Sequence, residues 1–516
     1  MSNNNNHKSL ESWIWDAACA IRGAQDAPKY KDFILPLIFV KRLCDVFDDE
    51  VQRITDKISD KQKALKLIEK DRKLIRFYIP LRPENIDDPT WSVIRKLSTK
   101  IGEELTNRMR DIARENPRLQ GIIDRVDFNA TTHGQRDIDD DKLSNLIEEI
   151  SKKRLGLKDV EPDIIGRSYE YLIRKFAEGG GQSAGEFYTP KEVGIIIARI
   201  LDPEPGQEIY DPCCGSAGLL IKCQLVLQDK MHLRSKEKYA PLQLNGQEYI
   251  SSTWAMANMN MVIHDMEGTI EIGDTMNSPK FRDGSRLRKF DLVTANPMWN
   301  QSNFNQKTYE NDELERFSAG FPPNGTADWG WAQHILASLN EKGRAGIVLD
   351  TGAVSRGSGN QSTNREKEIR KWFVEQDIIE GVLYLPENLF YNTPAPGIIL
   401  FLNRKKDKSK KNKILLINAS KEFQKGQPKN FIPDENQNKI VDAYLSWKEI
   451  EKFSKVIDKD EIVKNDYNLS PTRYIHTAEE ETYRPIGEIL EDLKELEQEQ
   501  KAIDKELKDI FKKLGY

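Results

Sequence analysis

The chain has 516 residues, 31% of them charged and 38% hydrophobic, which describes a globular protein of roughly three domains. No stretch reaches the ~18 apolar residues of a membrane helix, and the polar start Met1-Ser2-Asn3-Asn4-Asn5-Asn6 lacks a signal-peptide core, so a cytoplasmic location without membrane contact is expected. Five cysteines without a CxxC pair argue against a disulfide framework and a zinc site, and a net charge of −5 leaves no basic surplus for wrapping DNA unaided.

Residues 8 to about 155 read as helical. Leu10, Trp13, Ile14, Ala17 and Ile21 share one helical face. Ile34, Leu35, Leu37, Ile38, Phe39 and Leu43 continue in a second, more buried helix, with Asp16, Lys41 and Asp45 expected on polar surfaces. No strand alternation stands out, which predicts an all-α N-terminal domain over 1–155.

The texture changes at the flexible run Gly179-Gly180-Gly181-Gln182-Ser183-Ala184-Gly185. Beyond it, candidate strands fall at 208–211, 243–248, 269–274, 290–295, 345–350, 379–384 and 397–402. Helical patterns lie at 216–228, 251–264 and 328–340. Strand and helix in alternation predict a doubly wound α/β sheet in a domain over 156–475. The last two candidate strands lack a helix between them and are expected to pair antiparallel at an edge. The basic run 404–413 reads as a solvated turn. From Ile486 through Leu493, Leu496, Ile503 and Leu507 to Leu514, apolar residues recur at three- and four-residue steps. That predicts a long amphipathic C-terminal helix over 476–516, packed on its own domain or on a partner's helix.

The chemistry is concentrated at strand ends. The first α/β strand runs into Asp211-Pro212-Cys213-Cys214-Gly215-Ser216-Ala217-Gly218, a glycine turn opening a helix, where backbone approaches a ligand closely and free N–H groups face it. This is neither GxGxxG nor a GKS/T phosphate loop. The second strand ends in Glu248, placed to accept from a ribose diol. The third ends in Asp274-Thr275, where Asp274 can accept from an adenine amino group. Each acid taken alone is more often a helix cap. Together they outline an adenosyl pocket.

The fourth strand runs into Asn296-Pro297-Met298-Trp299. A ring-conjugated amine is a poor nucleophile until its nitrogen is drawn toward sp³ geometry. The Asn296 side-chain carbonyl and the Pro297 backbone carbonyl can grip its two N–H bonds, and Trp299 offers a face on which an extruded base can stack.

These residues resemble the amino-methyltransferases, and most closely the modification subunit of type I restriction–modification systems. Gly185-Glu186-Phe187-Tyr188-Thr189-Pro190-Lys191 resembles the segment that covers the methionine part of the cofactor in that family. Asn245-Gly246-Gln247-Glu248 with Thr253, Ala257, Asn258, Met259, Asn260 and His264, and Asn465-Asp466-Tyr467-Asn468-Leu469-Ser470 with Arg473-Tyr474, are similar to further family segments.

The resemblance implies a Rossmann-like domain that uses S-adenosylmethionine to methylate adenine N6 in double-stranded DNA with a flipped base. It implies two such chains on one specificity subunit, which selects the site and contacts the C-terminal helix, and a restriction/translocase subunit in the full complex. Glu186, Phe187, Tyr188, Thr189, Pro190, Lys191, Asp211, Gly215, Ser216, Ala217, Gly218, Glu248, Asp274 and Thr275 are the implied cofactor residues. Asn296, Pro297 and Trp299 are the implied catalytic residues, and no metal is implied. Met298 stands where the family usually has a second proline, which leaves both acceptors in place but removes a stiffening ring.

Methylation of cytosine N4 or of a glutamine amide, and a scaffold without turnover, stay open at this point. The polar stretch 301–325, with Phe304, Tyr309, Phe317 and Phe321, is expected to lack structure of its own until it orders over DNA. The run Ser355-Arg356-Gly357-Ser358-Gly359 could touch phosphate or form a solvated turn.

Overall fold

The computed structural model describes residues 10–21, 31–160, 168, 171–172, 189–234, 238–302, 306–360, 364–391, 393–427, 429–477, 493–494, 496–501, 503 and 507. It divides into two compact units, Met1–Ile475 and His476–Tyr516. In the second unit the described residues from 493 onward are helical.

The first unit opens with helices. Lys31–Ile58 is the longest among the described residues, and it buries Phe33, Ile34, Leu37, Ile38, Phe39 and Leu43. Contrary to expectation, Lys41 and Asp45 are also buried, at 4% and 2% exposure. They pair with each other one helical turn apart, and Asp45 Oδ2 accepts from the Leu155 N–H at 2.7 Å. Two charges can be buried here because each is met by the other and by backbone. The region is not purely α-helical: Thr131–Thr132 and Gln135–Arg136 form a small antiparallel hairpin.

The rest of the unit is built on a nine-stranded mixed sheet. In chain order its strands are β1 Glu208–Asp211, β2 Gln243–Glu248, β3 Gly268–Ile272, β4 Phe290–Ala295, β5 Leu339–Asp350, β6 Ile379–Tyr384, β7 Gly397–Asn403, β8 Lys413–Asn418 and β9 Ser454–Asp458. Across the sheet they run β9-β8-β6-β7-β5-β4-β1-β2-β3. β3, β2, β1, β4 and β5 are mutually parallel, and β7 is antiparallel to both β5 and β6.

Neighbouring residues point to opposite faces, as pleated strands require. Ile209, Leu292, Val348 and Ile399 enter the core under the helices Lys191–Leu201 and Gly218–Leu233. Tyr210, Val293, Leu349 and Ile398 enter the core under Asp328–Ser338 and Arg365–Glu375. Helices cover both faces, which is why β7 is apolar along 397–402 and not alternating.

Antiparallel pairing of β6 with β7 matches the sequence, but their place does not. Both lie inside the sheet, because β8 and β9 extend it beyond them. The basic run therefore connects two strands. Within it Lys406 is buried and bonded to Asp377 and to the Lys413 carbonyl. β3 stops two residues earlier than expected, and β5 starts at Leu339 rather than 345.

The helix Ser251–Ile263, which follows β2, is apolar on two sides. Met256, Met259, Val262 and Ile263 belong to the core of the N-terminal helices. Ala257 and Met261 belong to the core under the sheet. One helix thus ties the two layers together.

Candidate active site

Strand order reverses between β1 and β4, since β1 leads outward to β2 and β3 while β4 leads the other way. A crevice opens outside the carboxyl ends of two such strands, and ligands bind in it. β1 ends at Asp211 and β4 runs into Asn296, so both key segments flank this crevice.

After β1 the chain turns tightly, with left-handed backbone at Gly215 (φ 53°) and Ala217 (φ 62°). Nothing lies within 4 Å of where a Cβ on Gly215 would sit, so the surface of the turn is open to a ligand. Gly218 begins the helix behind it. The carbonyl of Ser216, itself buried, accepts from Asn260 Nδ2 at 3.0 Å. Glu248 closes the other side: its Oε2 accepts from the Gly215 N–H at 3.0 Å and its Oε1 from the Ile250 N–H at 2.9 Å. Asp211 is 1% exposed and accepts from the Cys213 N–H at 3.1 Å. Burial, reinforced by the nearby Glu248 carboxylate, pushes its carboxyl up to about 8. Two acids thus line the turn, and a positively charged ligand there would favour their ionised forms.

Thr275 Oγ1 donates to the Pro212 carbonyl at 2.5 Å, which joins the third strand end to the first. Asp274 behaves differently from the sequence expectation of a free acceptor. Its Oδ1 accepts from the N–H groups of Met276 and Asn277 at 2.9 and 3.0 Å, and its Oδ2 from Asn277 Nδ2 at 2.7 Å. It caps its own turn, which is why β3 ends early.

Asn296 is 8% exposed and held on both sides. Its Nδ2 donates to Thr189 Oγ1 at 3.0 Å, and its Oδ1 accepts from Trp299 Nε1 at 3.2 Å. Thr189 and the buried Pro190 precede the helix Lys191–Leu201, which Lys191 opens with an exposed side chain. Glu186, Phe187 and Tyr188 lie outside the described residues. Pro297 is buried directly after β4. Trp299 is half-buried, with its ring edge-to-face against Phe390 at 4.8 Å. Chemically, this arrangement presents one amide oxygen and one adjoining backbone carbonyl beside a turn suited to a cation.

A family model described as N-6 DNA Methylase matches residues 160–483, and one described as HsdM N-terminal domain matches 10–150. The chain belongs to the N-6 DNA methylase family. This methylase is an adenine-specific DNA methyltransferase of the type I restriction–modification class. It is 34% identical to the type I restriction enzyme MjaVII methylase subunit of Methanocaldococcus jannaschii, over 91% of its own length and 79% of the relative's. It is 30% identical to the MjaIX methylase subunit of the same organism, over 98% and 92%. The solved type I restriction-modification methyltransferase subunit from Streptococcus thermophilus superposes with a TM-score of 0.70 at 25% identity, covering 90% of the methylase and 98% of that chain.

The structure adds residues to the candidate site that the sequence did not single out, and it re-places others. Phe390 and Gly397 form the floor under Trp299: a Cβ on Gly397 would come within 2.8 Å of the indole. Arg316, 4% exposed, donates to the carbonyls of Thr275 and Met276 at 3.1 and 2.6 Å and thereby holds the Asp274 turn. It comes from the 301–325 stretch, which is not structureless. That stretch carries the short helix Gln306–Glu310 and an aromatic cluster of Tyr309, Phe317 and Phe321, while Phe304 lies outside the described residues. Arg356, a possible phosphate contact by sequence, is instead ringed by Asp328, Asp350 and Glu366. Of Phe390, Gly397 and Arg316, Gly397 alone carried a sequence signal, as a glycine at the head of an apolar run.

Proposed function

We propose that this methylase subunit transfers a methyl group from S-adenosylmethionine to N6 of an adenine flipped out of duplex DNA, with Asn296 and Pro297 gripping the amine. The observation that carries the reading is the position of Asn296. Its side-chain oxygen and the next backbone carbonyl stand at the end of β4, across the strand-order reversal from the open Gly215 turn.

The residues of that turn fit an adenosyl sulfonium. Asp211 and Glu248 supply negative charge, Gly215 and Gly218 leave room, and Ser216, Ala217, Asp274 and Thr275 shape the wall. Thr189, Pro190 and Lys191, with Glu186, Phe187 and Tyr188 before them, would cover it. The bound donor supplies an activated methyl group.

The remaining work belongs to the chain. Asn296 Oδ1 and the Pro297 carbonyl accept the two N–H bonds of the target amine and concentrate its lone pair on nitrogen. Thr189 fixes the amide so that oxygen, not nitrogen, faces the base. Trp299 shares Asn296 Oδ1 in the free protein, and its ring is the surface against which the base stacks. Base flipping costs a few kcal/mol, which these contacts repay.

In this reading the helical region 1–155, the methyltransferase region 156–475 and the C-terminal helix 476–516 divide the labour. Two copies serve one specificity subunit, which selects the DNA sequence and engages the terminal helix. A restriction/translocase subunit joins them for cleavage, and the assembly works in the cytoplasm. The net charge of −5 agrees with a partner that does most of the DNA holding. Among the described residues no helix is long and apolar enough to cross a membrane.

The test is methylation of duplex DNA by the complex with its specificity partner, using labelled S-adenosylmethionine and mass spectrometry of the nucleoside digest. N6-methyladenine should appear with the wild-type chain and vanish with Asn296→Ala. Product at cytosine N4, or undiminished product from the variant, would sink the proposal.

A further inference from the structure

One residue past Trp299, the side-chain amide and the backbone N–H of an exposed asparagine all bond to a single charged hub. Asn300 has left-handed backbone, φ 52°. Its N–H donates to Asp328 Oδ1 at 3.2 Å, its Nδ2 to Asp350 Oδ2 at 3.3 Å, and its Oδ1 accepts from Arg356 Nη1 at 3.1 Å. Arg356 in turn bonds Asp328, reaches Asp350 at 2.7 Å and grips Glu366 with two nitrogens at 2.8 and 2.9 Å. Asp328 is fully buried and Glu366 nearly so. The next residue continues the attachment: Gln301 Oε1 accepts from Trp331 Nε1 at 3.2 Å, on the same helix as Asp328.

An exposed asparagine ordinarily satisfies its amide with water. This one is tied at three points, once to the Arg356 guanidinium and once each to Asp328 and Asp350, two carboxylates which that guanidinium's planar fork holds in fixed directions. The tie also sits where stiffness is lacking. Pro297 fixes its own φ, but Met298 leaves the following peptide free to rotate. Left alone, that freedom would blur the placement of Asn296 Oδ1, the Pro297 carbonyl and Trp299.

We propose that Asn300, Arg356 and Asp328 act as positioning residues, a clamp that holds the Asn296–Trp299 turn in its gripping geometry in place of a second ring. The clamp touches neither donor nor base; it acts through the turn. It rests on the catalytic reading of Asn296 given above, and it adds to it the part of the molecule that makes Met298 tolerable.

The test uses the full chain in complex with its specificity partner. Asn300→Ala loses both side-chain bonds and disfavours the left-handed backbone. Asn300→Gly loses the same side-chain bonds but keeps that backbone and its N–H for Asp328. Single-turnover methylation, the KM for S-adenosylmethionine, the melting temperature and the fluorescence of 2-aminopurine at the target position are measured for each. Misplacing a catalytic group by about 1 Å costs about a hundredfold in rate, so Asn300→Ala should lose at least tenfold in the single-turnover rate. Its cofactor KM and melting temperature should stay at wild-type values, and the 2-aminopurine signal of the flipped base should change. Asn300→Gly should recover part of the rate.

A wild-type rate in Asn300→Ala overturns the clamp, as does a rate loss matched by equal losses of cofactor binding and melting temperature. If Asn296→Ala is inactive while Asn300→Ala is normal, only the clamp fails. If Asn296→Ala stays active, the catalytic reading itself fails.

Discussion

Asp211 stores the clearest single-residue consequence. Its carboxyl titrates at about 8 in the folded chain against an ordinary 3.8, because it is buried and faces Glu248. Between those values the folded state binds more protons than the unfolded one, so stability falls as pH rises from about 4 to 8 and levels off above. A cationic ligand favours the ionised carboxylate and reverses the penalty. Binding of S-adenosylmethionine near pH 6.5 should therefore release close to one proton, and its affinity should improve by up to about tenfold per pH unit until pH 8. Calorimetry in buffers of different ionisation enthalpy measures the release, which Asp211→Asn should abolish. Unchanged proton release in that variant would place the titrating group elsewhere. The placement of Asp211, Gly215, Glu248 and Asn296 around one crevice was legible in the sequence because it follows from local order: a strand, then a glycine, an acid or an amide at its end. Asp274 was only half legible, since an acid beyond a strand serves a ligand or its own turn equally well, and three-dimensional context chose the turn.

At the scale of elements, the sheet supports the site through contacts far apart in sequence. Gly397 opens β7 beneath the Trp299 indole, where a Cβ would lie 2.8 Å from the ring and 2.9 Å from Phe390. Gly397→Ala should therefore push Trp299 aside and cut methylation by about a hundredfold, while calorimetric cofactor affinity stays unchanged. A wild-type rate would mean the indole's place is not critical. Arg316 plays the matching part for the proposed cofactor wall. Replacing it with leucine strands Asp312 and two buried carbonyls, at a cost of about 3–5 kcal/mol. The melting temperature should drop accordingly, and cofactor affinity should fall because the Asp274 turn loosens. Stability within about 0.5 kcal/mol of wild type, the range of an ordinary surface substitution, would refute this. Neither role could be read from the chain. The stretch around Arg316 is polar and punctuated, and its few aromatics find each other only once the helix Asp328–Ser338 is packed beside them. β8 and β9 were missed for a related reason: a lysine-rich connection hid the entry to β8, and Ser454–Asp458, with three polar residues in five and only two buried, displays neither an apolar run nor a clean alternation.

For the molecule as a whole, the helix Ser251–Ile263 decides whether the N-terminal helices are an appendage or part of the enzyme. It leaves β2 directly after Glu248 and gives Met256, Met259, Val262 and Ile263 to the N-terminal core, each worth about 1.5–3 kcal/mol when buried. Arg118 adds a bond to the Met266 carbonyl at 2.9 Å, and Arg125 lies over the Trp254 ring at 4.7 Å. These contacts make Met1–Ile475 one cooperative body. Unfolding of the full chain should accordingly show a single main transition. Deleting residues 1–155 should expose the four apolar side chains together and yield an aggregating product instead of a smaller active methylase. Met259→Asp tests the same coupling without truncation: a buried unpaired carboxylate on the shared helix should lower the melting point of both layers together, followed by circular dichroism and by tryptophan fluorescence. Two separated transitions, with cofactor binding retained after the first, would mean that the helices unfold on their own and that the adenosyl pocket does not depend on them.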